Sequence, residues 1–321
     1  RFQHRPHPWF WYKTPYDRRP DESTRMSQNN TRLGILLMIA TTLVFATQDG
    51  ISRLLAERYH ITMVVMIRYW FFALFVISYA ARQKQGFRAT IKTEQLPLQI
   101  LRGVLLAAEI CIAVLAFVYL GLVETHAIFA IYPLMVAALA GPVLGETVGW
   151  RRYLAIAIGF VGMLIILRPG ATVFSPASLL AVLSALMFAV YGLLTRFVAR
   201  KDAAMTSFFW TGVSGCVAMT FVGVWFWEPM APTDWVWMGI LCITGATGHF
   251  LLIKCLEVAE ASAVQPFAYL QLVFASIIGV AVFGEDLKLN VIGGAAIIVV
   301  AGLFTIWRER VRAKKGISLN N

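Results

Sequence analysis

Charge is scarce in this chain. Only 14% of its 321 residues are Asp, Glu, Lys or Arg, whereas soluble domains carry about 25%. Apolar residues make up 59% and the mean hydropathy is +0.70, so both departures point to lipid. Cysteine is sparse too. Cys111, Cys216, Cys242 and Cys255 all fall in apolar blocks, without the paired spacing of a disulfide or a zinc site, and read as small apolar fillers. The blocks contain no H-E-x-x-H, G-x-S-x-G or paired-aspartate signature, which argues against an enzyme. His126 and His249 stand alone, without the spacing of a metal site, and read as hydrogen-bonded structural residues. Neither a metal nor a cofactor is expected.

Residues 1–25 lack an apolar run of the kind found in a secretory signal. MSQNNTRLG from Met26 reads as an ordinary beginning. The preceding segment is expected to be upstream translated sequence or a disordered tail.

What the chain does have is long apolar blocks, at roughly 33–52, 61–81, 97–120, 125–144, 150–168, 175–195, 204–227, 234–256, 262–283 and 288–307. Each approaches the ~20 residues that a helix needs to cross about 30 Å of hydrocarbon. Apolar residues run on without strand-like alternation, which favours helices over a barrel. The net charge of +11 could suggest nucleic acid, but its placement gives another meaning. With the N-terminus inside, fifteen Lys and Arg fall in the inner loops and the C-terminal tail, against four outside: Arg53, Arg58, Arg168 and Lys288. That is the bias of a membrane protein with both termini cytoplasmic. Nucleic acid is not an expected partner; the lipid bilayer is.

The two halves of the chain repeat one another. LVFATQDGISRLLA (43–56) aligns without a gap on LMFAVYGLLTRFVA (186–199), matching Phe45 with Phe188 and Arg53 with Arg196. YLGLVETHA (119–127) pairs with CLEVAEASA (255–263), placing Glu124 opposite Glu260. VLGE (143–146) pairs with VFGE (282–285). Five crossings per half is an odd number, so the second half lies upside down, with Glu146 inside and Glu285 outside. Inverted repeats build many secondary transporters, with the site near the midplane between the halves. The expected fold class is an all-α polytopic membrane protein of ten transmembrane helices arranged as two inverted five-helix repeats, 33–168 and 175–308. The flanks are a cytoplasmic tail at 1–32 and a basic tail at 309–321.

These ten helices, the duplicated unit and the paired GE endings resemble the EamA group of the drug/metabolite transporter superfamily. The resemblance implies a carrier with a central cavity and alternating access. FATQDGISR (45–53) and MIRYWFFAL (66–74) look more narrowly like the bacterial riboflavin transporters of that superfamily.

Several polar residues inside the blocks need an explanation. Phe45, Gln48, Asp49 and Ser52 form one helical stripe, and such stripes face protein or a wet cavity rather than lipid. Asp49 is either a site residue or one half of a local pair with Arg53, four residues on. Arg68 lies roughly 10 Å deep at 1.5 Å per residue. An unpaired arginine there costs at least about 2.5 kcal/mol on insertion scales. Asp49 is its expected partner, substrate contact and snorkelling being the other readings. Arg102 and Glu109 share a face of the third helix; Arg102 could anchor at its cytoplasmic end. Glu109 is the first candidate for carrying a coupling proton, and a fixed structural pair is the other reading. Tyr132, Tyr191, Trp210, Gln265 and Tyr269 complete the candidate set, able to stack on a flat ligand and bind its polar edge. Pro133 and Pro266 should interrupt the backbone ladder.

The expected activity is secondary transport of a small organic solute across a bacterial inner membrane, linked to protons, with riboflavin uptake the specific expectation. Export of amino acids or other metabolites is the alternative. A channel, or a membrane-embedded interaction protein, belongs to another class.

Overall fold

The computed structural model of the chain describes residues 30–84, 86–144, 150–167, 176–259 and 264–318, and every regular element among them is helical. We number the helices α1 (Thr31–Ala56), α2 (Ile61–Ala81), α3 (Phe87–Ile91), α4 (Leu96–Leu120), α5 (Leu122–Phe129), α6 (Tyr132–Leu144), α7 (Trp150–Leu167), α8 (Pro176–Val198), α9 (Ala204–Gly223), α10 (Pro232–Val258), α11 (Leu270–Phe283) and α12 (Leu289–Ser318). Single turns of 3₁₀-helix lie at Val224–Phe226 and Gln265–Tyr269. The expectations for residues 1–25, Glu146, Arg168 and Glu260 fall outside the described residues.

Local chemistry sets the ends of the helices. Asn30 Oδ1 accepts from the Leu33 amide at 3.0 Å and caps α1. Proline occupies the first turn of α4 and of α10, where its missing N–H leaves no bond unmade. Nine helical stretches among the described residues are long and apolar enough to cross a membrane, and Tyr153–Leu167 is a shorter apolar helix. Inside a bilayer a helix satisfies its own backbone polar groups, which no open strand could do. Apolar side chains accordingly point outward: Leu36, Leu74 and Val300 are each more than 60% exposed. Trp225, Trp227, Trp235 and Trp237 are exposed around the α9–α10 connection, as in an interfacial belt.

Two crossings are discontinuous. The fourth breaks between α5 and α6 at Ala130 and Ile131, just before Pro133. The ninth opens with the 3₁₀ turn that contains Pro266 and only then becomes α11. Both breaks fall where a proline removes a backbone donor.

Packing follows the duplicated sequence. α1 packs on α10 as α8 packs on α4, α11 lies on α1 as α6 lies on α8, and α2–α9 and α7–α12 pair across the halves. One apolar core, containing Ile131, Leu134 and Ile298, joins α5 to α8 and α12. A second, with Leu55, Met63, Met66 and Leu241, joins α1, α2, α9 and α10.

Candidate functional site

The α1 stripe is buried: Gln48 is 5% exposed and Ser52 2%. Asp49 Oδ2 lies 3.1 Å from His126 Nε2 on α5 and accepts a second hydrogen bond, also of 3.1 Å, from Gln271 Nε2 on α11. The other ring nitrogen of His126 faces the Leu122 carbonyl at 3.0 Å. One carboxylate therefore ties the first crossing to both of the discontinuous ones. The local pair expected between Asp49 and Arg53 does not form. Arg53 bonds instead to Glu57 at 2.9 Å and to Glu285, and its guanidinium stacks on Phe283. Glu285 in turn accepts the amides of Leu122 and Val123 at 2.7 and 2.8 Å, capping the start of α5. Gly121 makes this approach possible. Its φ is +95°, and a Cβ there would stand 2.9 Å from the Glu285 carboxylate.

Arg68 is 8% exposed, yet no carboxylate is ion-paired with it and no hydrogen bond holds its guanidinium among the described residues. The expected pair with Asp49 is therefore overturned, because His126 and Gln271 occupy that carboxylate. Snorkelling is overturned as well, since the side chain is enclosed. Arg68 lines a small cavity with Tyr69, Phe72, Ile110, Cys242, Gly245 and His249. Two more polar groups here lack protein partners, Gln48 Oε1 and Tyr69 Oη. Arg68 Nε and Gln48 Oε1 lie 3.1 and 3.3 Å from the point where residue 245 would carry a Cβ, so glycine at that position leaves them room.

Glu109, 4% exposed, accepts a hydrogen bond of 2.7 Å from Ser184 Oγ on α8, joining the two halves at depth. It lies within electrostatic reach of Asp49 and Arg68. Arg102 is not an anchor at the helix end. It is 1% exposed and fully engaged with the Gln99 side chain, Tyr191 Oη at 3.0 Å, Thr195 and the Ser207 carbonyl.

A second cavity, of about 40 Å³, opens between the two broken crossings, lined by His126, Phe129, Tyr132, Pro133, Tyr269 and Gln271 among others. Tyr132 meets Phe188 edge-on at 4.9 Å and Phe129 at 5.2 Å, giving one wall an aromatic surface. On the other side His249 stacks on Phe72 at 5.5 Å and meets Phe45 at 5.2 Å. Consecutive residues of α1 stand beside the two cavities: Asp49 bonds to His126 and Gln271 of the second, and Gln48 Oε1 lies near Gly245 of the first.

Of the residues expected at the site, Gln48, Asp49, Arg68, Glu109, Tyr132 and Tyr269 come together here. Tyr191 lies alongside, held by Arg102. Trp210 does not join them; its Nε1 donates at 2.9 Å to the carbonyl of Ile91, the last residue of α3. The side chain of Gln265 lies outside the described part of the structure. His126, Gln271, Ser184, Cys242, Gly245 and His249 enter without having been singled out as site residues. Tyr269 closes the 3₁₀ turn and Gln271 lies in the first turn of α11, and both line the second cavity.

The EamA-like transporter family matches the chain twice, at residues 32–168 and 175–307. The chain belongs to this family. A protein of Rickettsia bellii called an S-adenosylmethionine uptake transporter is 27% identical over 288 residues, covering 89% of this chain and 97% of that protein. A riboflavin transporter of Vibrio cholerae is 28% identical over 282 residues, covering 86% and 94%. One solved crystal structure shares the fold with a TM-score of 0.56 at 16% identity, covering 88% of this chain and 96% of the other. The chain is thus a polytopic membrane transporter of a small solute, and not an enzyme.

Proposed function

We propose that this EamA-like protein is a secondary carrier for uptake of a small solute bearing a flat heteroaromatic ring, with S-adenosylmethionine as its first candidate cargo. The carrying observation is the meeting of two broken crossings at a polar cluster walled with aromatic side chains. Discontinuous helices that meet near the midplane are the usual site architecture of carriers built from repeats. Aromatic faces suit a flat ring, and the polar groups between them suit its edge. The names of the relatives fit this class of ligand, since an adenine and a flavin are both flat heteroaromatics.

Riboflavin is the second reading. It is favoured by the Vibrio relative and by the α1 and α2 segments FATQDGISR and MIRYWFFAL. In both readings the chain forms two inverted five-helix repeats, 33–168 and 175–308, in a bacterial inner membrane with both termini cytoplasmic. Glu109 is the proposed proton-carrying residue: it is the buried carboxyl that links α4 to α8.

Purified full-length protein in proteoliposomes should accumulate labelled S-adenosylmethionine, saturably, when a proton gradient is imposed. It should also show counterflow of labelled solute without a gradient. Riboflavin accumulation alone favours the second reading. Outward transport of amino acids alone makes the protein an exporter, and non-saturable flux without counterflow makes it a channel.

A further inference from the structure

Among the described residues two arginines are buried in the bundle, and they differ in one respect. Arg102 spends its donors on Gln99, Tyr191, Thr195 and the Ser207 carbonyl. Arg68 is more than nine-tenths buried and meets none of the carboxylates around it. A guanidinium held out of water without an anion is costly, and in a membrane span it marks a place where an anion arrives. Asp49 is engaged by His126 and Gln271, and Glu109, within electrostatic reach of Arg68, by Ser184. No carboxylate among the described residues is ion-paired with Arg68.

The neighbour of Arg68 narrows the choice of anion. Gln48 Oε1 is a buried acceptor without a donor. It stands on the same side of Gly245 as Arg68 Nε, the two atoms lying 3.3 and 3.1 Å from the vacant Cβ position. A donor fork and a bare acceptor converge on one spot. A carboxylate with an ammonium on the adjacent carbon is complementary to that pair: the guanidinium takes the carboxylate, and the amide oxygen takes an ammonium hydrogen.

We propose that Arg68 and Gln48, converging on the Cβ side of Gly245, form a dock for the α-amino-acid head group of the transported solute. This rests on the carrier reading above and deepens it, since S-adenosylmethionine has such a head group and riboflavin has none. The ring portion of the solute then lies along the aromatic walls formed by Phe72 and His249 or by Phe129 and Tyr132. In the present conformation the space beside Arg68 is about 10 Å³, room for roughly one water. The head group enters as the halves part, and the water-sized space marks where it settles.

The test uses the full chain in proteoliposomes and in detergent. Uptake of labelled S-adenosylmethionine is competed with S-adenosylhomocysteine, which keeps the head group, with decarboxylated S-adenosylmethionine, which lacks only the carboxylate, and with methylthioadenosine, which lacks both charges. The expected result is that S-adenosylhomocysteine competes at least about tenfold better than either truncated compound. Arg68→Gln should erase that preference and raise KM, and Arg68→Lys should restore part of it. In parallel, L-methionine and L-methioninol are compared by thermal shift on the wild type and on Arg68→Lys, both folded by size-exclusion profile. The expected result is stabilisation by methionine but not by methioninol.

Equal competition by the truncated compounds, or an Arg68→Gln protein that keeps the preference, overturns the dock. Failure to carry S-adenosylmethionine while methionine still stabilises the protein, in an Arg68-dependent way, removes that cargo and leaves the dock standing. Riboflavin uptake indifferent to every carboxylate-bearing compound overturns the dock while leaving the carrier intact.

Discussion

Asp49 and His126 face each other at 3.1 Å across the junction of α1 and α5, with Gln271 of α11 on the same carboxylate oxygen. Three crossings thus share one acceptor. Asp49→Ala leaves an imidazole and an amide without their partner, at a cost of about 1–3 kcal/mol. The expected outcome is a lower melting temperature in detergent and loss of uptake. Asp49→Asn preserves the shape, so it should recover most of the stability and little of the transport.

The two buried arginines should separate in the same assays. Arg102→Leu strands the groups that surround it in the interior, including the Gln99 side chain and the Ser207 carbonyl. It should lower folded yield and melting temperature, by about 3–5 kcal/mol if it behaves like the breaking of a buried charged cluster. Arg68→Gln removes a side chain with no protein partner and should leave the melting temperature near the wild-type value while uptake falls. A matching loss of stability in both variants would place Arg68 among the structural residues.

Gly245→Leu puts a side chain into the space shared by Arg68 and Gln48. Membrane insertion should be unchanged, because leucine is favourable in a span, and uptake should fall below a tenth of wild type, by an estimate of about 1.4 kcal/mol or more in binding. Gly245→Ala needs a shift of only a few tenths of an ångström from a flexible arginine and should be milder.

Glu109→Gln keeps an acceptor for Ser184 but cannot take up or release a proton near neutral pH. Counterflow of labelled solute should persist while gradient-driven accumulation disappears. Normal accumulation in this variant would move the coupling role elsewhere.

Gly121→Ala strains a backbone at φ +95° and presses a methyl group on Glu285. The strain at positive φ costs about 1–2 kcal/mol, readable as a lower melting temperature. Glu285→Gln should destabilise as well, because it removes the charge that Arg53 and the α5 amides share.

Much of this architecture was legible from composition. Long apolar runs cut by charges placed the crossings, and α2, α4 and α12 begin within a residue or so of the expected blocks. The polar stripe of α1 was legible for the same reason, since a helical period fixes which residues share a face. Pairing was not. Asp49 was assigned to Arg53 or Arg68 because those bases were near in sequence or depth, whereas its partners come from α5 and α11, whose approach depends on how the halves interleave. The 3₁₀ turn at Gln265–Tyr269 was not legible either, because no window of hydrophobicity reports a change of helical period. Trp210 was included as an aromatic inside a span; the carbonyl that holds its indole nitrogen belongs to the short helix α3, which lies outside the ten apolar blocks.

The breaks at Ala130–Ile131 and at Gln265–Tyr269 have a mechanical meaning. Pro133 and Pro266 supply no backbone donor there, so fewer rungs resist bending than along an unbroken helix. Each half carries such a joint beside the pocket. These joints are therefore the soft pivots of the bundle, where a change of angle leaves the secondary structure of the long rods whole.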